Sequence, residues 1–266
     1  MRIAFWNTHK NEGINRIVCD IIKENRIDIA VLAEYKANSK KLIRELSGQG
    51  IQMEQYVTFG CERIVMFGSR KGLMPASQNK YYSMQLLDGK YILCGMHLPS
   101  QTYANHQGRR NIVIDMLLQD ISQLEKEAGV EQTVLFGDFN ENPYETGCLA
   151  ADKFHGIPSR NDALRGSRTV MGRKFKMFYN PMWNLFGDFQ YPPGTYYYNG
   201  GSPSHPFWNM YDQVMIRPAL QGKFVSGSLK ILVGTKQVSF VNQHKRPRKE
   251  ISDHLPIVFE IKEGPL

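Results

Sequence analysis

The sequence predicts a single domain that combines helices with β-sheet, and three observations support this. A length of 266 residues suits one large domain. Strand-like apolar runs alternate with amphipathic helical segments at the start of the chain, and a series of consecutive strands follows. No internal repeat or compositional boundary divides the chain, so we expect residues 1–266 to form one domain.

The first elements alternate between strand and helix. Residues 2–6 and 27–33 are continuous apolar runs typical of buried strands. Residues 15–24 place apolar side chains on one face of a helix, and residues 39–46 form a second helical segment.

From residue 52 the period changes to that of strands separated by turns. The predicted strands of this part are 52–59, 64–68, 81–87 and 91–97. The strongest helix covers residues 109–128, where apolar side chains recur at helical spacing. The remaining predicted strands are 133–136, 213–216, 229–233 and 256–261.

Between residues 154 and 211 the pattern is irregular and rich in Gly, Pro, Asn and aromatic residues. Such a segment is too aromatic for a disordered linker, and long irregular loops in compact domains are usually functional. Its aromatic residues at 196–198 and 207–208 fit two interpretations: they stack on unpaired bases, or they fill a loop core. Basic residues at 168, 173, 174 and 176 add positive charge to the same segment.

The formal net charge of +8 favours an anionic partner, although a merely solvated basic surface also fits. No apolar run reaches membrane-spanning length, and residues 1–7 turn polar too early for a signal peptide. The four cysteines show no metal-binding spacing, and Cys94 lies in an apolar run as a small buried hydrophobe. We therefore expect a reduced, cytoplasmic protein without a membrane span.

Polar residues recur where the predicted strands end. Asp138 and Asn140 follow the strand at 133–136, and because they are two positions apart they point to the same side of an extended chain. The other residues in such positions are Asn7, Glu34, His97, Asp212 and the Ser252-Asp253-His254 run. Each has an ordinary explanation alone, such as a cap or a turn. Their repetition predicts that strand ends converge on one cleft.

These residue types suit chemistry at phosphorus. Carboxylates such as Glu34, Asp138 and Asp253 are the hard ligands that Mg²⁺ or Mn²⁺ prefers. The amides of Asn7 and Asn140 orient water or phosphate without adding charge. His97 and His254 can donate to phosphate oxygens or carry protons, and Asp212 can hold the tautomer of His254.

Taken together, these motifs resemble the endonuclease/exonuclease/phosphatase superfamily of DNase I-like, metal-dependent phosphoesterases. The matching runs occur in the family's order and cover residues 5–258: Phe5-Trp6-Asn7, Ala33-Glu34, Met96-His97-Leu98, Gly137-Asp138-Phe139-Asn140, Tyr211-Asp212 and Ser252-Asp253-His254. The resemblance implies an α+β fold, a four-layer α/β/β/α sandwich in which two facing mixed β-sheets carry helices outside.

The resemblance also implies roles for the matched residues. Glu34 is expected to be the main metal ligand, with Asn7 and Asp253 close by, and Mg²⁺ or Mn²⁺ is the expected cofactor. Asp138 is expected to position or deprotonate the attacking water. The remaining expected catalytic residues are Asn140, which fixes that geometry, His254 paired with Asp212, which stabilises the developing charge, and His97, which contacts the phosphate.

Three positions depart from the family pattern. His9 stands where DNA-repair members carry an acid, and Gln213 follows Asp212 where Tyr, His or Arg is usual. The chain from 217 to 251 is also longer than in compact members. It ends in a basic loop whose residues Lys245, Arg246, Arg248 and Lys249 are expected to bind substrate. Such a loop either tracks a phosphate backbone or is simply solvated.

Three functional hypotheses follow. The first is a metal-dependent nuclease or phosphodiesterase acting on DNA or RNA, with nucleic acid as substrate. The second is a phosphoesterase for a small or lipid phosphate such as an inositol phosphate, a phosphoinositide or sphingomyelin. The third is a non-catalytic binding relative, which the retention of the acidic and histidine residues opposes.

Overall fold

In a computed structural model the chain forms two β-sheets, and the structure describes residues 1–100, 106–200 and 205–264, with backbone alone at 106 and 107. The first sheet has the strand order β16-β17-β1-β2-β4-β3. Its strands are β1 (Arg2–Asn7), β2 (Ile29–Ala33), β3 (Glu54–Gln55), β4 (Ile64–Gly68), β16 (Lys230–Ile231) and β17 (Ile257–Glu260). β1 and β2 run parallel, whereas the other pairs are antiparallel, so the sheet is mixed.

The second sheet has the order β5-β6-β7-β8-β15-β12-β9. Its strands are β5 (Leu73–Asn79), β6 (Tyr82–Leu87), β7 (Tyr91–His97), β8 (Thr133–Asp138), β9 (Gly156–Ile157), β12 (Phe178–Tyr179) and β15 (Asp212–Ile216). β7 and β8 are parallel at its centre, and their register places His97 beside Asp138. β15 runs antiparallel to β8 and places Asp212 on the other side of Asp138.

Helices supply the crossovers of two parallel strand pairs, β1 with β2 and β7 with β8. The helices are α1 (Asn15–Asn25), α2 (Ser39–Gly48), α3 (His106–Ala128), α4 (Thr146–Leu149) and α5 (Arg160–Ala163), with 3₁₀ turns at Pro181–Asn184, Pro218–Leu220 and Ser226–Ser228. α1 connects β1 to β2 and α3 connects β7 to β8, as parallel neighbours require.

The hydrophobic core lies in three seams. Phe5, Val31, Leu93 and Phe136 belong to the central seam, where the two sheets face each other. A second seam joins the first sheet to α1 and α2, and a third joins the second sheet to α3. The order of layers is therefore helix, sheet, sheet, helix, and the predicted α+β sandwich is confirmed.

Some strand predictions were wrong at the edges of the sheets. Residues 52–59 form only the two-residue strand β3, and residues 229–233 form only β16. β5 lies where the sequence indicated a turn, because an edge strand tolerates Pro75 and polar residues and bends at a bulge after Pro75. Edge strands bury little surface, so their pattern is weak.

The irregular segment forms two small ribbons. β10 (Ser167–Val170) and β11 (Arg173–Lys176) make a hairpin, and β13 (Tyr196–Tyr197) pairs with β14 (Trp208–Asn209). Lys176 at the base of the hairpin donates to Glu125 and Glu131, beside the start of β8. The hairpin thus lies at the opposite end of β8 from Asp138.

Two further sequence predictions can be compared with the described residues. Among them no helix is long and apolar enough to cross a membrane. All four cysteines are free thiols, and Cys94 is fully buried, as expected for a small hydrophobe.

Candidate active site

One cleft collects the polar residues that follow the strand ends. Parallel strands end at the same edge of a sheet, so β1 and β2 bring Asn7 and Glu34 together, and β7 and β8 bring His97 and Asp138 together. The cleft has a volume of about 620 Å³. Its lining includes Asn7, His9, Lys10, Glu34, Arg63, Tyr81, His97, Arg109, Asp138, Asn140, Tyr196, Tyr198, His205, Tyr211, Asp253 and His254.

Asp138 lies at the centre of this cleft with its side chain 1% exposed. The Oδ1 atom accepts the backbone N–H of Asn140 at 2.9 Å, and Oδ2 accepts Nδ2 of Asn7 at 3.0 Å. The preceding Gly137 is required sterically, because a Cβ there would lie 2.0 Å from the carbonyl oxygen of Met96. The carboxylate is therefore held in one orientation by both sheets.

Four residues of the cleft, His9, Lys10, Glu34 and Asn140, adopt left-handed backbone conformations, and two of them follow strand ends. Asn140 has φ of 51° and Glu34 has φ of 49°. Asn tolerates this region, whereas Glu pays about 1–2 kcal/mol for it. The Asn140 amide also donates from Nδ2 to the carbonyl oxygen of Leu98 at 2.9 Å. Both turns aim polar side chains into the cleft, and the strain at Glu34 is a mark of a functional position.

His254 is buried against two carboxylates. Its Nδ1 lies 2.8 Å from Oδ2 of Asp212, and its Nε2 lies 3.9 Å from Oδ2 of Asp138. Burial by itself lowers the pKa of His254, but the carboxylates of Asp212 and Asp138 have a larger, opposite effect and raise this pKa to about 10. The imidazole is therefore a cation at neutral pH, and the ring of Tyr196 covers it at 4.8 Å.

His97 is the second histidine of the cleft. Its Nε2 lies 3.5 Å from Asp138 Oδ2 and 3.9 Å from Glu34 Oε1. Burial lowers the pKa of His97, in spite of these carboxylates. The two imidazoles thus differ in charge at neutral pH, with His97 neutral and His254 cationic.

Ser252 has a structural role, holding a loop by hydrogen bonds, that the sequence did not indicate. Its hydroxyl donates to the carbonyl oxygen of Asn7 at 2.7 Å and accepts the backbone N–H of His254 at 3.0 Å. Trp6 adds a hydrogen bond from its indole Nε1 to the carbonyl oxygen of His254 at 2.9 Å. The Ser-Asp-His loop is fastened to the end of β1 by these contacts.

Glu34, Asp253 and Asn7 form a donor set that fits a hard divalent cation. Oδ1 of Asp253 is buried and has no hydrogen bond, since His9 Nδ1 lies 3.1 Å away at a geometry that does not form one. Glu34 has Lys10 Nζ at 3.8 Å, longer than a hydrogen bond. Carboxylate oxygens left without good donors, with an amide oxygen nearby, are the ligands that Mg²⁺ or Mn²⁺ prefers.

A second group of ligand-type residues is formed by Asp138 and His254, which line the cleft, and Asp212, which is fully buried behind them and is not part of the lining. In the described part of the chain, Asp138, Asp212 and His254 place one ligand atom each within 4.8 Å of one another. Hydrogen bonding already accounts for the contact within this cluster, since Nδ1 of His254 lies 2.8 Å from Oδ2 of Asp212. We therefore place the candidate metal ligands at the outer set.

The structure adds cationic and aromatic residues that sequence reasoning missed. Lys10, Arg63 and Arg109 line the cleft and come from three different segments. Arg63 packs over the ring of Tyr81 at 5.6 Å, and Tyr196 stacks on Tyr211 at 5.3 Å. Lys10, Arg63, Tyr81 and Arg109 carry no local motif, so only the fold could assemble them, whereas Tyr196 and Tyr211 belong to segments that the sequence singled out.

The basic loop lies beside the cleft and does not line it. Lys245, Arg246 and Lys249 are exposed, whereas Arg248 is half-buried. Arg248 is engaged within the loop region, since its Nε donates to Glu250 at 2.7 Å and its Nη1 to the carbonyl oxygen of Ser239 at 3.2 Å. Substrate binding by these four residues remains a prediction.

Comparison with solved structures identifies the fold. The chain shares its α+β sandwich fold with solved structures, as the sequence resemblance implied. It superposes on an AP endonuclease from Archaeoglobus fulgidus with a TM-score of 0.57 and 13% identity, covering 99% of this chain and 100% of that one. It also superposes on two structures of NExo. One is described as a 3′ phosphatase from Neisseria bound to product DNA hairpin, and the other as a 3′-5′ exonuclease from Neisseria meningitidis. Each gives a TM-score of 0.58 and 15% identity, covering 99% of this chain and 100% of that one.

Sequence comparison adds nothing to this structural likeness. No family model matches the chain, and no curated protein matches it. At 13% and 15% identity the shared property is the fold, and the chemistry of the cleft must be argued from its own residues.

Proposed function

We propose that this protein is a metal-dependent phosphodiesterase that hydrolyses nucleic acid. The observation that carries the proposal is the environment of Asp138. A fixed carboxylate, a cationic His254 and an outer donor set of Glu34 and Asp253 line the same cleft. These are the groups that hydrolysis of a phosphodiester requires.

Asp138 orients the attacking water and accepts its proton. The hydrogen bonds from Asn7 and from the backbone of Asn140 hold the carboxylate, so a water that donates to it has one preferred direction. Proton transfer to a positioned carboxylate contributes about 10²–10⁴-fold to a rate.

His254 stabilises the negative charge that develops on the phosphate oxygens. Asp212 holds Nδ1, so Nε2 remains directed toward Asp138 and the cleft. A preformed donor aimed at developing charge in a buried site is worth about 10²–10³ in rate. His97, which is neutral, donates to the phosphate from Nε2.

The outer donor set would hold the metal ion, with Glu34, Asp253 and the Asn7 amide oxygen as ligands. When bound, Mg²⁺ or Mn²⁺ supplies Lewis acidity and neutralises phosphate charge. Lys10 near Glu34 adds further positive charge at the same rim.

Several observations favour a nucleic acid over a small phosphate. Lys10, Arg63 and Arg109 surround the catalytic residues with positive charge, and the chain carries a net charge of +8. Of the solved structures with this fold, one is described as an AP endonuclease and another as a 3′ phosphatase bound to a product DNA hairpin. The proposal has two further parts that rest on the sequence alone: residues 1–266 act as one catalytic domain, and the protein is cytoplasmic.

A hydrolysis panel tests the proposal. Single- and double-stranded DNA, RNA, inositol phosphates and sphingomyelin are incubated with the protein and Mg²⁺ or Mn²⁺, beside an Asp138→Asn variant. We expect cleavage of nucleic acid that needs the metal and is lost in the variant. Hydrolysis of inositol phosphates or sphingomyelin alone would favour the small-phosphate alternative, and no hydrolysis of any substrate would support a non-catalytic binding protein.

A further inference from the structure

A second groove adjoins the catalytic cleft. It has a volume of about 300 Å³ and lies between the aromatic segment and the basic loop. Its lining consists of Tyr197, Asn199, Asn242, Arg246, Pro247, Arg248, Lys249, Glu250 and Asp253. Asp253 also lines the catalytic cleft, so the two depressions meet at a candidate metal ligand.

Aromatic rings hold the basic loop in place along this groove. The guanidinium of Arg246 lies 4.4 Å from the centre of the Tyr197 ring, and Lys245 Nζ lies 5.5 Å from that of Tyr191. The Tyr191 hydroxyl donates to the carbonyl oxygen of Lys245 at 2.8 Å. The aromatic segment and the basic loop, which appeared separate in the sequence, therefore form one structural unit.

The loop is also shaped from within. Oδ1 of Asn242 accepts the backbone N–H groups of His244 and Arg246, at 2.9 and 3.2 Å. Lys245 takes a left-handed conformation with φ of 56° in the turn this creates. The backbone of the loop is thus defined by local hydrogen bonds, and its side chains extend from a fixed base.

Two cations of the groove have no carboxylate partner among the residues that the structure describes. Within residues 1–100, 106–200 and 205–264, no carboxylate forms an ion pair with Arg246 or Lys249, in contrast to Arg248, which pairs with Glu250. Arg246 lies over the Tyr197 ring, a contact that does not use its N–H groups, and guanidinium N–H groups match phosphate oxygens in pairs. Arg246 is therefore able to bind an anion that the described part of the chain does not supply.

We infer that this groove binds a backbone phosphate next to the one being cleaved, through Arg246 and Lys249. The inference rests on the proposed function and specifies its substrate as a polynucleotide strand, because a small phosphate cannot occupy both depressions at once. Contact with phosphate carries no sequence information, so the groove is expected to bind strands of any sequence. DNA and RNA share this chemistry, and the experiment must separate them.

Binding measurements without catalysis test the groove. Fluorescein-labelled 12-nucleotide DNA and RNA strands are titrated in EDTA with the wild-type protein and with the double variant Arg246→Gln/Lys249→Gln. The control variant is Arg173→Gln/Lys174→Gln, which removes the same charge from exposed positions on the β10–β11 hairpin, outside both depressions. We expect binding to weaken about tenfold or more in the groove variant, with the salt slope shallower by about 1–2, and to change less than about twofold in the control.

The outcomes separate the groove from the catalytic proposal. An equal loss in both variants, or no loss in the groove variant, overturns the inference even if the wild-type protein cleaves the strands when metal is added. Groove-dependent binding by a wild-type protein that cleaves neither strand with Mg²⁺ or Mn²⁺ upholds the groove and overturns the proposed function. A loss confined to DNA or to RNA upholds the groove and assigns the substrate.

Discussion

The catalytic cleft and the second groove are built in opposite ways. The cleft is made of strand ends. Its residues Asp138 and His254 are buried and hydrogen-bonded, Asp138 to Asn7 of the facing sheet and His254 to Asp212 behind the lining. The groove is made of loops, and its cations Arg246 and Lys249 are exposed and held by ring contacts at most. Reaction geometry is thus fixed by the sheets, whereas contact with a long substrate is left to side chains that can adjust.

The comparison predicts its largest effect at Asp138. Asp138→Asn keeps the shape of the side chain but removes its capacity to accept a proton from water, so we expect cleavage of oligonucleotides to fall about 10²–10⁴-fold. Single-turnover rates measure this. Asp115→Asn, an exposed change on α3, serves as the control and should retain wild-type rates. Comparable losses of cleavage rate in both variants would contradict the catalytic role given to Asp138.

A second prediction separates stability from catalysis at the far end of β8. Glu125 is buried there, accepting Arg217 Nε at 2.7 Å and the Thr133 hydroxyl at 2.8 Å. Glu125→Gln leaves Arg217 without its counter-charge, so we expect a loss of about 3–5 kcal/mol in the free energy of unfolding. Urea denaturation measures the loss, with the exposed Glu127→Gln as control. The rate of cleavage per folded molecule should not change.

The pH dependence of stability also tests the role of the buried Glu125 carboxylate. Burial raises the pKa of Glu125, but Arg217, Thr133 and Lys176 outweigh it and lower the pKa below the ordinary value of 4.5. A lowered pKa in the folded state means that this stabilisation is present above pH 4.5 and is lost as the pH falls through the folded pKa. We expect the acid limb of the stability curve to be less steep in Glu125→Gln. An unchanged limb would exclude this carboxylate as a source of acid sensitivity.

The third prediction concerns the cation of the cleft. His254→Gln removes the charge that faces the developing phosphate charge, so we expect the rate of cleavage to fall about 10²–10³-fold. Asp212→Asn should reduce the rate less, because it acts through His254 and does not touch the substrate. Steady-state kinetics on one oligonucleotide compares the two variants, and a larger loss for Asp212→Asn would reverse the roles given to this pair.

The smallest predicted effect belongs to the groove. Tyr197→Leu removes the ring beneath Arg246, a contact worth about 0.5–1 kcal/mol at an exposed site. We therefore expect KM for oligonucleotides to rise about two- to fivefold while kcat stays constant. A change in kcat without a change in KM would mean that Tyr197 supports the catalytic residues and not the bound strand.

The sequence predicted the two kinds of region unequally well, for a physical reason. Asn7, Glu34, His97 and Asp138 follow buried strands whose apolar patterns are clear, so their convergence could be inferred from the order of the motifs. The edge strand β5 buries little surface and was missed. The stacking of Arg246 on Tyr197 joins residues 49 positions apart, and no local pattern encodes it.

The same limit applies to the chemistry of the cleft. Ser252 belongs to a recognisable motif, yet its structural contact with Asn7 is visible only in three dimensions. Lys10, Arg63 and Arg109 carry no motif at all, although they line the same cleft. Charge that depends on the packing of separate segments cannot be read from spacing along the chain.

A metal titration of oligonucleotide cleavage tests the central claim most directly, because it separates the outer donor set from the water-positioning carboxylate. Wild-type protein, Glu34→Gln and Asp138→Asn are assayed from EDTA-treated stocks with increasing Mn²⁺. We predict that Glu34→Gln shifts the half-maximal metal concentration upward about tenfold or more, since losing even a residue that only supports a metal ligand costs about 10–100-fold in affinity. Asp138→Asn should lower the maximal rate at saturating metal instead. Cleavage that persists in EDTA, or an unshifted titration in Glu34→Gln, would contradict the account.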